Sequence, residues 1–278
     1  MINKILLHYY TTIIKTTSTR DILKMPMNLM SLNNGSDPVG ISTDTDIVNT
    51  TKTLQANLEN ALKAYNISPD YITIDIAHGH SNKVKDIIKY IKTNHPDSFI
   101  IAGNVSTPEA VKDLEEWGAD AIKVGIGPGS ACTTYNATGF GSRGAQASIV
   151  GLCAKAAKKS LIIADGGISH HGDIAKSIVL GASMVMIGGM FSGLSDSPGN
   201  LVTGTDGQMY KEFWGSASAH QSNKKNRIEG TKKLIQLKSN TVLEELKYLE
   251  ECLQSSISYA GGKDIECFKN VDYILKHQ

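Results

Sequence analysis

From Tyr71 onward the chain alternates short apolar runs with amphipathic stretches, the pattern of βα units laying down a parallel sheet. The apolar runs predict strands at Tyr71 to Ala77, Phe99 to Val105, Ala121 to Gly125, Leu161 to Ala164 and Met184 to Ile187, each followed by glycine or small polar residues. Helix starts are legible between them. Ser106-Thr107-Pro108-Glu109 sets a capping residue before a proline and an acid, and Ser81-Asn82 precedes a second amphipathic run. Right-handed crossovers put every loop that follows a strand on one edge, where barrel enzymes assemble their sites.

These units predict an α/β fold, a TIM-type (β/α)8 barrel, incomplete or irregular at its N-terminal strands. Residues 1–70 are less patterned: Pro38 to Ile41 reads as a strand, Leu54 to Tyr65 as a helix, and Met25 to Met30 as an early strand end. Between Met30 and Pro38 there is no room for another helix and strand. Ser195 to Arg227 is glycine-rich, polar and too long for an ordinary connection, so it reads as a lid or flap. Two helices are expected after it, with Val242 to Leu253 the clearer. The expected organisation is a single domain over 1–278, with a divergent part at 1–70, clear βα units at 71–194, and flap and C-terminal helices at 195–278.

A length of 278 residues suits one such barrel, and 41% apolar with 20% charged residues is ordinary globular composition. A formal charge of +1 leaves no electrostatic footprint for nucleic acid, so a small-molecule ligand is expected, with no nucleic-acid or membrane partner. The run Ile5 to Leu7 is far too short to span a bilayer. Cys132, Cys153, Cys252 and Cys267 are widely spaced with no C-x-x-C, which suggests neither a zinc site nor a disulfide framework and points to a reducing, cytoplasmic setting. Lys4, Lys15 and Arg20, with no acid among them, are a faint cue toward an organelle leader.

The most informative segment is Lys123-Val124-Gly125-Ile126-Gly127-Pro128-Gly129-Ser130-Ala131-Cys132-Thr133-Thr134. A strand runs into a glycine-dense loop whose backbone can approach a ligand closely, and a thiol flanked by hydroxyls follows. A lone cysteine is most often an inert small hydrophobe; in this loop, amides or a bound cation can stabilise a thiolate, and the thiolate is the nucleophile. Paired glycines end two further strands, in Asp165-Gly166-Gly167 and Gly188-Gly189. They read either as a backbone amide cradle for phosphate, with Asp165 accepting from ribose hydroxyls, or as simple tight turns. His78 and His80 follow Asp75 at a strand end; without a third ligand of suitable spacing, a cofactor-facing wall is the better reading than a metal site.

The thiol loop through Thr134, together with Asp165-Gly166-Gly167, resembles the IMP dehydrogenase and GMP reductase superfamily. Asp75 to Ser81 (DIAHGHS), Ala102 to Val105 (AGNV), Thr138 to Gly141 (TGFG), Gly215 to Ser218 (GSAS), Glu229 to Lys233 (EGTKK) and Gln254 to Gly262 (QSSISYAGG) favour the reductase branch. The likeness runs from Tyr71 to the C-terminus. It implies an NADPH-dependent oxidoreductase of purine nucleotide metabolism that deaminates GMP to IMP with release of ammonia, usually as a homotetramer. Alternatives are a catalytically impaired nucleotide-binding homologue and an IMP dehydrogenase.

By the resemblance, Cys132 attacks purine C2 to form a thioimidate, and Thr134 with Glu229 delivers a proton to the departing ammonia; read alone, Glu229 is also a plausible helix-start carboxylate. Ser130, Asp165, Gly166, Gly167, Gly188, Gly189, Gly215, Ser216, Ala217 and Gly230 resemble substrate-binding groups. Asp75, Ile76 and Ala77, with Ser255, Ser256, Ile257 and Ser258, resemble the NADPH contacts. Backbone carbonyls of Gly127, Gly129 and Cys132 are implied as potassium ligands. The chain departs from the family at Tyr135, where relatives carry a basic residue, and at Ser169-His170-His171, which replaces a more basic turn.

Overall fold

A computed structural model describes residues 5–7, 29–33, 59, 70–215, 218 and 230–275, the first two segments by their backbone. Seven strands form one parallel sheet: β1 (Ile5–Leu7), β2 (Leu29–Asn33), β3 (Tyr71–Asp75), β4 (Phe99–Val105), β5 (Ala121–Val124), β6 (Leu161–Asp165) and β7 (Met184–Ile187). Their order across the sheet is β1-β7-β6-β5-β4-β3-β2. The first strand has therefore wrapped round to pair with the last, as barrel closure requires, while β1 and β2 remain the two edges among the described residues. The fold is an incomplete TIM-type barrel.

The predicted strands appear with small changes of end. β3 stops at Asp75 rather than Ala77, β5 at Val124 rather than Gly125, and β6 gains Asp165. The early strand end at Met25 to Met30 is realised as β2, whose register places Asn33 beside Asp75. Of the expected helix at Leu54 to Tyr65 only Glu59 is described, in helical conformation; its carboxylate accepts from the Tyr90 hydroxyl at 3.0 Å and lies 2.9 Å from His95 Nε2. The expected strand at Pro38 to Ile41 lies outside the described residues.

Helices α1 (Asn82–Asn94), α2 (Pro108–Trp117), α3 (Thr134–Thr138), α4 (Gln146–Ala156) and α5 (Asp173–Val179) alternate with the strands. α2 begins as its sequence suggests: the Thr107 side chain accepts from the Ala110 amide at 3.2 Å, with Pro108 opening the helix. The sheet alternates in what it buries, broken only in β4, where a register shift between Gly103 and Val105 turns Val105 to the helix side. Ile72, Ile74, Ile100, Ala102, Ile122, Val124, Ile162, Ala164, Val185 and Ile187 join one core with the helices, whereas Ile101, Ala121, Ile163 and Met186 form a second cluster. The second set has the opposite parity in every strand, so it lines the concave face.

The C-terminal region corrects the sequence expectation. Within the segment read as a flap, β8 (Leu201–Thr203) and β9 (Met209–Trp214) pair antiparallel, and β10 (Lys232–Gln236) adds to β9. After it comes one long helix, α6 (Val242–Tyr259), and then only a 3-10 turn at Ile265–Asn270 where a second helix was expected. The strand at Lys232–Gln236 was missed because its face is mostly exposed, leaving no clear alternation to read. α6 opens with a reciprocal capping box, the Thr241 hydroxyl accepting from the Glu244 amide and the Glu244 carboxylate from the Thr241 amide at 2.7 Å. Among the described residues no helix is long and apolar enough to cross a membrane.

Candidate active site

The loop after β5 is shaped by close backbone approach. Gly125 has φ 145°, and a Cβ there would collide with the Asp165 carbonyl and sit 2.7 Å from Gln146 Nε2. Only glycine lets β5 and β6 come this near where they end. Gln146 then donates to Val124 O at 2.9 Å and Asp165 O at 3.3 Å, pinning the two strand ends together. Ser106 at the end of β4 accepts from the Ile126 amide at 3.1 Å and holds the other side of the loop.

So fixed, the loop lies against the glycine pairs. A Cβ on Gly166, which has φ 83°, would sit 3.1 Å from Pro128 Cγ and 3.3 Å from the Gly129 amide nitrogen; one on Gly189 would be 3.6 Å from Ser130 Oγ. Gly129 O accepts the Cys132 amide at 3.1 Å, closing a turn that presents the thiol. Cys132 Sγ is 3.2 Å from Thr134 Oγ1, and both residues are partly exposed.

The antiparallel arm reaches the same loop. Gly230 forms an isolated bridge with Cys132 on one side and Ser218 on the other. The Thr231 amide donates to Ala131 O at 2.9 Å, and the Gly215 amide to Thr231 O at 3.1 Å. A Cβ on Gly215 would lie 2.8 Å from Ala131 O. Residues just after β9 and just before β10 thus strap the segment that carries Cys132. Glu229, Ser216 and Ala217 lie outside the described residues; their neighbours Gly215, Ser218 and Gly230 are at the strap.

At the end of β3, Asp75 Oδ1 is 2.9 Å from Lys123 Nζ, which also lies 3.1 Å from Asp165 Oδ2. Asn104 donates to the same Asp165 oxygen at 2.8 Å and to Gly125 O at 2.7 Å. Lys123 is 1% exposed. Burial alone would disfavour its charge; the Asp165 and Asp75 carboxylates outweigh that and hold its pKa above the usual lysine range. Ile76, Ala77 and His78 continue to an open edge, while His80 turns away to Asp113, with Nε2 2.7 Å from Oδ2. Among the described residues no cluster of three His, Cys, Asp or Glu side chains is placed to hold a metal ion.

The structure therefore brings together the ends of β5, β6 and β7 and the strap, and sets Asp75 within reach of Asp165 through Lys123. Ser255 to Ser258 are elsewhere, on the last turns of α6: Ile257 is buried in the helix-side core, Ser255 and Ser258 face outward, and the Ser256 hydroxyl is used on Cys252 O at 2.9 Å. Sequence reading did not single out Lys123, Asn104, Gln146 or Ser106. For Lys123 the signal was parity: Thr73, Asp75, Lys123 and Asp165 are polar residues on the concave face of runs otherwise apolar on both faces.

Thiol loop, glycine pairs and half-buried acids thus gather at the carboxyl ends of parallel strands, the arrangement of an α/β-barrel enzyme. The chain belongs to the IMP dehydrogenase and GMP reductase family: a model described as IMP dehydrogenase / GMP reductase domain matches residues 44–277. It is 55% identical over 210 residues to a GMP reductase of Lactobacillus johnsonii, covering 76% of this chain and 63% of that protein. For a GMP reductase of Bacillus licheniformis the figures are 55% over 210 residues, 76% and 64%, and for one of Staphylococcus aureus strain Newman 56% over 207 residues, 74% and 63%. The chain thus spans just under two thirds of the length of these relatives. The crystal structure of a GMP reductase from Trypanosoma brucei in complex with guanosine 5'-monophosphate superposes with a TM-score of 0.70 at 33% identity, covering 77% of this chain and 46% of that one.

Proposed function

We propose that the chain reduces GMP to IMP with release of ammonia, using NADPH, with Cys132 as the nucleophile. The observation that carries this reading is the Cys132 thiol, 3.2 Å from the Thr134 hydroxyl, in a loop packed on both glycine pairs and strapped by Gly230.

In this reading the backbone amides of Gly167, Gly188 and Gly189 hold the phosphate, with Ser130 beside them, while the Gly166 amide, which donates to Met186 O at 3.2 Å, fixes the turn. Asp165, with one oxygen taken by Lys123 and Asn104, offers the other to the ribose diol. The Cys132 thiolate adds to purine C2 and the exocyclic amine leaves as ammonia after taking a proton, leaving a thioimidate; Thr134 and Glu229 carry that proton. NADPH, when bound, would supply the hydride to C2, and Cys132 would leave as the thiolate when the C–S bond breaks to give IMP. Gly215, Ser216, Ala217 and Gly230 line the nucleotide from the arm.

The edge beyond β3 fits a dinucleotide: Asp75, Ile76 and Ala77 lead to open backbone at His78, and Gly79 packs so closely on Gly103 that a Cβ there would be 3.0 Å from its Cα. Ser255, Ser256, Ile257 and Ser258 are assigned to the cofactor on the resemblance alone. Potassium fits the donor set of Gly127, Gly129 and Cys132, carbonyl oxygens of a single turn, and would favour the thiolate. A homotetramer in the cytoplasm completes the reading.

A second reading, a nucleotide-binding homologue without turnover, is favoured by β1 and β2 standing as unpaired edges among the described residues. Incubation with GMP and NADPH separates the two: IMP, ammonia and loss of NADPH fluorescence support the reductase, whereas GMP binding without NADPH consumption supports the second. Turnover of IMP with NAD instead would make the chain an IMP dehydrogenase.

A further inference from the structure

Lys123 is a cation in the middle of a four-residue strand whose every position is buried. Its parity puts it on the concave face, and its ammonium lies 2.9 Å from Asp75 Oδ1 on β3 and 3.1 Å from Asp165 Oδ2 on β6. To reach β3 from β5 the side chain must cross β4. Gly103 makes that crossing possible, since a Cβ there would lie 2.6 Å from Lys123 Cβ and 2.7 Å from Lys123 O. Met186 Sδ of β7, 3.8 Å from Nζ, adds no charge, and Asn104 of β4 is a neutral donor. The described charged groups facing the ammonium are thus the two carboxylates.

We infer that Lys123 is a positioning residue for the nucleotide: it neutralises the repulsion between Asp75 and Asp165 and, with Asn104, fixes one Asp165 oxygen so that the other faces the ribose diol. The inference rests on the ribose assignment of Asp165. Once the bridging ammonium is removed, two half-buried carboxylates held this close disfavour each other's ionisation, and one takes up a proton more readily. A protonated Asp165 is a poorer acceptor for a diol. The lysine thereby keeps the nucleotide site ionised whatever the neighbouring cofactor-side carboxylate does.

The test is GMP binding by the full chain, without NADPH, followed by calorimetry from about pH 7 to 8.5, above the phosphate's second ionisation near 6. The parent is expected to bind with a flat profile. Lys123→Met should weaken GMP binding at least about tenfold near pH 7 and recover several-fold as pH rises and the shared proton leaves. The double variant Lys123→Met with Asp75→Asn removes ammonium and rival carboxylate together, and should return to within about threefold of the parent with a flat profile. If Lys123→Met fails to fold while the double variant folds and binds, carboxylate repulsion is again the cause and the inference stands. Parent-like, pH-independent binding by Lys123→Met overturns it, as does failure of both variants to fold, which would make the lysine a structural support. A parent chain that does not bind GMP overturns the ribose assignment and the inference together.

Discussion

The parallel sheet and the antiparallel arm meet at Cys132 but are built differently. Strands β3 to β7 are buried on both faces, with Ile72, Ile100, Ile122 and Val185 fully inaccessible. In the arm, β10 is exposed along nearly its whole length and β8 has no buried residue. Burial of apolar surface is the main source of stability, so the sheet holds its geometry through its core, whereas the arm is held by polar contacts, with the buried Lys211 of β9 donating to Leu194 O and Ser195 O at 2.7 and 2.9 Å. The sheet supplies the thiol, the glycine pairs and the half-buried carboxylates on either side of Lys123. The arm supplies the strap at Gly215 and Gly230 and, immediately before Gly230, Glu229. In the proposed reading, the part that fixes the thiol is on the sheet and the part that covers the nucleotide is on the arm.

Perturbing the sheet should therefore damage the fold, and perturbing the arm should damage turnover. The largest effect is expected at Gly125→Ala, where the added methyl meets the Asp165 carbonyl at a positive φ: the melting temperature should fall by more than about 10 °C, read by circular dichroism. A change of a degree or two would show that the strand ends can part freely. Glu229→Gln should lower kcat about 10²–10⁴-fold while GMP affinity changes little, because a proton donor is lost and size is kept. An unchanged kcat across the pH range would remove Glu229 from the chemistry.

Gly215→Val comes next. Its side chain would press on Ala131 O, so kcat should fall about tenfold with a melting temperature within about 3 °C of the parent. A melting temperature that falls as far as for Gly125→Ala would mean that the arm is part of the rigid core. The smallest effect is at Glu115, on the far side of the sheet. Desolvation acts to raise its pKa, but the amides of Ser160, Lys159 and Lys158 outweigh it and hold the carboxyl below its usual value. A depressed carboxyl contributes stability that is present at neutral pH and is lost as pH falls through the folded-state value. Glu115→Gln should cost about 1–2 kcal/mol at pH 7 in urea melts, with the difference from the parent shrinking in acid. A constant difference would assign the effect to shape rather than charge.

The sheet was also the legible part of the sequence. β4 and β7 were read to the residue, and the α2 cap at Thr107-Pro108 behaves as its sequence suggests, because apolar runs, caps and prolines are local signals. The loop from Gly127 to Cys132 was legible for the same reason. The concave charge cluster was obscured because strands buried on both faces carry no strong period, so Lys123 passed as an interruption in a hydrophobic run. The arm was hidden by the opposite condition: β8 and β10 are mostly exposed, and their pairing depends on contacts across 201–236 that no local pattern encodes. The contact between Gly215 and Ala131 is likewise non-local, and the family resemblance marked Gly215 only as a nucleotide-binding group.

Cysteine chemistry gives a further contrast, between the loop after β5 and helix α4. Burial, with Glu109 nearby, pushes the Cys153 thiol up to about 12. At pH 8 it should resist iodoacetamide, while the partly exposed Cys132 is alkylated and is protected by GMP; labelling of Cys153 in the folded protein would refute this.

The central claim, that a sheet-borne thiol does the chemistry while other loops hold the nucleotide, is tested most directly by Cys132→Ala. GMP titrated into this variant in a calorimeter, with NADPH consumption followed in parallel, should show affinity within about threefold of the parent and no detectable turnover, because phosphate and ribose contacts lie elsewhere. NADPH consumption at the parent rate by Cys132→Ala would contradict the account.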